Sequence, residues 1–153
     1  MTTIPILYGT MTGNSRDLSE LAVKRLKAAG FAAEAIDMAK AKPEDLEGRS
    51  HALFVISTWG DGEPPDDAVP YVERLQHDNP LPLQGVEFSV CALGDESYDI
   101  FCGCGIIVDE RLEAHGGVRL APRVDCDVDY DEPFEGWITS VVEALAARQT
   151  VSS

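Results

Sequence analysis

The sequence predicts an α/β fold of three layers, a five-stranded parallel sheet with helices on both faces. Two observations carry the prediction. Short apolar, strand-forming runs alternate with amphipathic helical stretches through the 153-residue chain, and the runs at 51–57 and 86–93 have the character of buried strands. Alternation of this kind sets parallel strands side by side with crossover helices between them. Largely apolar runs bounded by turn signals are what central strands covered on both faces require.

Taken in order, Ile4-Pro-Ile-Leu-Tyr8 is the first strand, stopped by Gly9. From Ser15 the spacing of Leu18, Leu21, Ala22 and Leu26 follows the i, i+3, i+4 stripe of a helix, which Gly30 ends. Residues 31–38 form a weaker second strand, because alanine is a poor strand former. Lys42 to Gly48 reads as a short helical turn, and His51 to Ser57 as the third strand. Asp66 or Asp67 can cap a helix running to about His77, with Pro70 still in its first turn. Val86 to Leu93 is the fourth strand, Ile100 to His115 a helix closed by Gly116-Gly117, and Val118 to Val124 the fifth strand. Pro133 opens a last helix carrying Trp137, Val141, Val142 and Leu145, and residues 1–147 are expected to form one domain with a frayed tail at 148–153.

Composition narrows the function. Hydrophobic residues at 44% and charged residues at 25% are ordinary for a globular domain. No run approaches the ~20 apolar residues of a membrane span. The start lacks the basic region and long apolar run of a signal peptide, so a cytoplasmic address is expected. A net charge of −15 argues against nucleic acid, whose binding rests on Lys and Arg, and favours partners with a basic docking surface. Cys91, Cys102, Cys104 and Cys126 are expected to be reduced thiols, and neither Cys102-Gly-Cys104 nor the scattered His51, His77 and His115 has zinc spacing, so no metal is expected.

In a doubly wound sheet the ligand lies outside the carboxyl ends of the strands, so the loops after strands one, three, four and five should carry the function. The first loop joins a strand end directly to a helix start. Its hydroxyls (Thr10, Thr12, Ser15), the helix N–H groups and the close approach Gly13 permits make a cradle for a phosphate, although a capped turn of ordinary kind would use the same residues. Neither a triphosphate loop with its lysine nor a G-x-G-x-x-G fingerprint is present, so a monophosphate held by neutral donors fits best. Trp59 after the third strand and Tyr98 after the fourth can sandwich a flat heteroaromatic ring such as a flavin.

Three segments in this order, Thr10-Met-Thr-Gly-Asn14, Ser57-Thr-Trp-Gly-Asp-Gly-Glu-Pro-Pro-Asp-Asp-Ala68 and Ala92-Leu-Gly-Asp-Glu-Ser-Tyr-Asp-Ile-Phe-Cys102, are similar to those of the flavodoxin family. They resemble most closely the FMN domains of sulfite reductase flavoproteins and cytochrome P450 reductases. Leu112-Glu-Ala-His-Gly-Gly117 and the aspartate-rich loop before Trp137 extend the match over residues 4 to 146. The resemblance implies a flavodoxin-like fold and one FMN. Thr10, Met11, Thr12, Gly13, Asn14 and Ser15 would hold its phosphate. Ser57, Thr58, Trp59, Gly60 and Asp61 would run along one face of the ring. Leu93, Gly94, Asp95, Ser97, Tyr98, Phe101 and Cys102 would cover the other face, and Asp125 or Asp127 would lie near the ribityl chain or ring edge. The family usually has tyrosine where Trp59 stands, and Cys104 and Met11 also depart from its pattern.

The function so implied is one-electron transfer, a monomeric carrier shuttling between a reductase and an acceptor protein. In a longer chain it would be the FMN domain of a diflavin reductase rather than an enzyme on its own. The rival is an FMN-dependent NAD(P)H:quinone oxidoreductase. It needs an open ring face, which Trp59 and Tyr98 would close.

Overall fold

In the computed structural model, the residues described are 3–9, 14–46, 50–57, 68–76, 81, 83–93, 103–121, 123–126 and 131–152. Their elements alternate as the sequence predicts: β1 (Ile4–Gly9), α1 (Asn14–Ala28), β2 (Ala33–Asp37), β3 (His51–Ser57), α2 (Val69–Gln76), β4 (Glu87–Leu93), α3 (Gly103–Ala114), β5 (Val118–Arg119), β6 (Val124–Cys126) and α4 (Asp131–Ser152). Two 3₁₀ turns, Met38–Lys40 and Pro43–Leu46, fill the connection from β2 to β3. The strands are parallel in the order β2-β1-β3-β4-β5, with β6 also on β4.

Side-chain alternation along each strand divides the core into two layers. Ile4, Ile6, Leu53, Val55, Cys91 and Leu93 face α1 and α4, where Leu18, Ala22, Leu26, Phe134, Trp137 and Val141 close over them. Leu7, Phe54, Ile56, Phe88 and Val90 face the other way, against Tyr71, Val72 and Leu75 of α2 and Val108 and Leu112 of α3. The handedness of crossovers explains this division. α1 carries the chain from β1 outward to β2, whereas α2 and α3 carry it in the opposite direction, so right-handed connections fall on opposite faces.

Two sequence expectations are corrected. Leu21 is not part of the buried stripe of α1: it is 44% exposed, because the stripe advances by four residues through Leu18, Ala22 and Leu26 and leaves Leu21 on the solvent side. Nor is Val118–Val124 one strand. Phe88 pairs with Arg119, but Cys91 pairs with Val124, so the partner of β4 carries two extra residues between β5 and β6. Pro122 in that interval has no N–H for a ladder bond.

Candidate functional site

The strand registers bring four chain ends to one edge. Gly9 pairs with Ile56, Ser57 with Leu93, and Leu93 with Cys126, so β1, β3, β4 and β6 all stop within about a residue of a common line. Strand order reverses between β1 and β3, the switch point at which doubly wound sheets bind their ligands. α1 begins at Asn14, with four residues between it and the end of β1. The first four N–H groups of a helix lack intrahelical partners and carry the positive end of its dipole, so the backbone from Asn14 and Ser15 onward suits an anion at this edge.

Of the residues singled out in the sequence, Asn14 and Ser15 lie in the first turn of α1, Ser57 and Leu93 at neighbouring strand ends, and Asp125 in β6. Thr10, Met11, Thr12, Gly13, Thr58, Trp59, Gly60, Asp61, Gly94, Asp95, Ser97, Tyr98, Phe101, Cys102 and Asp127 lie outside the described residues, as do Asp66 and Asp67. Leu93 is 6% exposed with its side chain in the α1–α4 layer, so what it offers a ligand is backbone.

Along the β4–β6 side of the sheet that leads to this edge, the structure adds residues that sequence reasoning missed. Asp109 of α3 is a buried carboxylate that accepts two bonds from Arg119, Nε to Oδ1 and Nη2 to Oδ2, both 3.0 Å. Arg123 Nη1 donates to Asp109 Oδ2 at 2.9 Å, while its Nε donates to Asp125 Oδ1 at 2.9 Å. Burial pulls the Arg123 guanidinium down, but Asp125 and Asp109 outweigh it and hold the group above its ordinary range. The signal in the sequence was Asp109 itself, a charge directly after Ile106-Ile107-Val108.

Gly105 is the second addition. A Cβ built there would stand 2.2 Å from Ala92 Cβ, so only glycine lets the first turn of α3 lie this close to β4. Third, Cys91 and Cys126 are buried reduced thiols with their sulfurs 3.7 Å apart. The bond with Cys91 holds Cys126 below the usual thiol range, against burial.

The fold and this edge define a doubly wound α/β protein that can hold a nucleotide-like ligand at the switch point of its sheet. Comparison with known proteins makes the class specific. The family model "Flavodoxin" matches residues 6–137. The sulfite reductase [NADPH] flavoprotein alpha-component of Bacillus subtilis (strain 168) is 45% identical over 142 residues, 93% of this chain and 24% of that protein. The same component from Shewanella sp. (strain MR-4) is 38% identical over 143 residues, 94% of this chain and 24% of that protein. The chain thus spans about a quarter of the length of these relatives.

Among solved structures, the flavodoxin of Streptococcus pneumoniae TIGR4 superposes with a TM-score of 0.83 at 26% identity, covering 96% of this chain and 99% of that one. A cysteine-to-serine variant of Pseudomonas aeruginosa flavodoxin gives 0.81 at 30% identity, with 95% and 99% covered. The chain belongs to the flavodoxin family, and FMN is its cofactor. It is a flavodoxin-like electron-carrier domain homologous to the sulfite reductase flavoprotein subunit.

The described residues fit that cofactor. A helix N-terminus faces the same edge as four aligned strand ends, and the Asp125 carboxylate beside them is already paired with Arg123. FMN, when bound, supplies the one-electron chemistry, and the protein supplies binding, orientation and charge.

Proposed function

We propose that this chain shuttles single electrons from a reductase to an acceptor protein, each docking through a basic surface. The observation that carries the reading is the alignment of β1, β3, β4 and β6 at the switch point, because the segments leaving those ends are the ones whose motifs match FMN domains. In this reading residues 10–15 hold the phosphate, 57–61 and 93–102 cover the two ring faces, and Asp125 or Asp127 lies near the ribityl chain. The relatives named for NADPH and sulfite reductase support a place as the FMN domain of such a system, with electrons arriving from an NADPH-oxidising flavoprotein part and leaving to a reductase partner. The acting unit is a cytoplasmic monomer of one domain that includes the whole of α4, Asp131–Ser152. No helix among the described residues is long and apolar enough to cross a membrane.

A flavin titration tests the reading. FMN should bind and give a yellow protein, and riboflavin should bind more weakly. A phosphate held by charge-assisted hydrogen bonds contributes about 1.5 to 3 kcal/mol, roughly a tenfold to hundredfold difference in affinity. A chain that stays colourless after reconstitution with FMN sinks the proposal, and equal affinity for riboflavin removes the phosphate cradle from it.

A further inference from the structure

β6 is only three residues long, yet it must deliver the chain to the flavin edge from a register two residues out of step with β5. Three backbone pairings hold it to β4. The first residue after Pro122 is Arg123, and it spans the gap between two elements. One end of its fork lies on Asp109, whose carboxylate is 5% exposed in α3, and the other lies on Asp125, the middle residue of β6. Asp109 is itself fixed by the two bonds from Arg119, and Arg119 Nη1 reaches Glu113 at 3.0 Å. The clamp is therefore anchored in a packed helix rather than in a loop.

We propose that Arg123 is a positioning residue for the flavin: it ties β6 to α3, thereby setting where the segment after Cys126 begins, and it offsets the Asp125 carboxylate at the flavin edge. The inference rests on FMN occupying the switch-point edge. A planar fork can serve both carboxylates at once, whereas a lysine ammonium supplies the charge without that geometry. An unpaired carboxylate in this position would disfavour each added electron on the flavin, since like charges repel through a medium of low effective dielectric.

The test uses the FMN-loaded protein and reads two quantities, FMN dissociation by fluorescence and the two one-electron midpoint potentials by spectroelectrochemical titration. Arg123→Met should weaken FMN binding about tenfold. It should also lower the one-electron equilibria by about threefold to tenfold, which at 59 mV per decade is about 30 to 60 mV. Arg123→Lys should keep the potentials near wild type while still binding FMN less tightly. Adding Asp125→Asn to Arg123→Met should return the potentials toward wild type without restoring affinity. A purely structural role would lower melting temperature and leave the potentials of the bound flavin unmoved.

If Arg123→Met does not fold, Asp125→Asn alone decides, because it leaves the Arg123–Asp109 contact in place: the potentials should rise. Unchanged potentials in both Arg123→Met and Asp125→Asn, or unchanged FMN affinity in Arg123→Met, overturn the inference. Wild-type protein that does not take up FMN overturns the proposed function instead, so the two failures are distinguishable.

Discussion

Ser89 shows how a single hydroxyl fixes the irregular side of the sheet. It sits in β4, buried, between Phe88 and Val90, where an apolar residue would have served packing alone. Trp137 Nε1 donates to Ser89 Oγ at 2.8 Å, and Ser89 Oγ donates to the carbonyl of Ala121 at 3.0 Å. One hydroxyl, acting as acceptor and donor at once, thus satisfies a buried indole of α4 and a carbonyl in the stretch between β5 and β6. Ser89→Ala should orphan both groups at about 1 to 3 kcal/mol each. For a domain of this size a 1 kcal/mol loss lowers the melting temperature by about 2 to 4 °C, so a drop of roughly 4 to 24 °C is expected in a thermal melt. Trp137→Phe in the same background should cost less than it does in the wild type, since its donor is already unmatched. A Ser89→Ala protein within about 0.5 kcal/mol of wild type, the ordinary range of surface substitutions, would reject this role. Nothing local in the sequence marks Ser89, because both of its partners are more than 30 residues away.

At the scale of elements, the seat of α3 on β4 depends on the absence of one methyl group. Gly105→Ala would bring two Cβ atoms to 2.2 Å, and the helix must move outward. Overpacking of this kind costs about 1 to 3 kcal/mol. Alanine returns about 1 kcal/mol through helix propensity. A net loss is expected in urea denaturation, together with weaker FMN binding, since α3 follows directly on the 94–102 segment. Ala92→Gly in the Gly105→Ala background should recover most of both. A Gly105→Ala protein as stable as wild type would show that the helix has room to spare. The elements legible in the sequence are those whose signal is local. β3 runs from His51 to Ser57 as its apolar run predicts, and Gly30, at φ 94°, ends the α1 stretch where a left-handed residue is needed. The break between β5 and β6 was illegible because hydrophobic alternation records which face a residue takes, not its register with a partner strand. The same reason hid the Asp109–Arg123 tie: the positions of the ligand loops follow from alternation, but an ion pair across 14 residues leaves no periodic trace.

At the scale of the whole molecule, the distribution of charge matters more than its sum. The protein carries −15, and the segments 58–67, 94–102 and 125–132, which adjoin the aligned ends of β3, β4 and β6, contain Asp61, Glu63, Asp66, Asp67, Asp95, Glu96, Asp99, Asp125, Asp127, Asp129, Asp131 and Glu132 with no Lys or Arg. Asp131 and Glu132, in the first turn of α4, are exposed, and Asp125 is partly offset by Arg123. Net charge alone serves solubility, but in the proposed role a single sign of charge in the segments that adjoin the flavin edge would also act on docking. Single-sign clustering of this kind acts mainly on the rate of encounter with an oppositely charged partner. Electron transfer to a basic acceptor such as cytochrome c should therefore slow as salt rises, most steeply where the screening length falls from about 30 Å at 0.01 M to about 10 Å at 0.1 M. Stopped-flow rates would be compared for wild type and for Asp66→Asn combined with Asp99→Asn, one substitution in each of two neighbouring segments. The double variant should be slower at low salt, should approach wild type at high salt, and should show a shallower dependence between. Rates that are flat in salt, or a slope the double substitution leaves unchanged, would mean that partners meet the flavin edge without electrostatic guidance from these carboxylates.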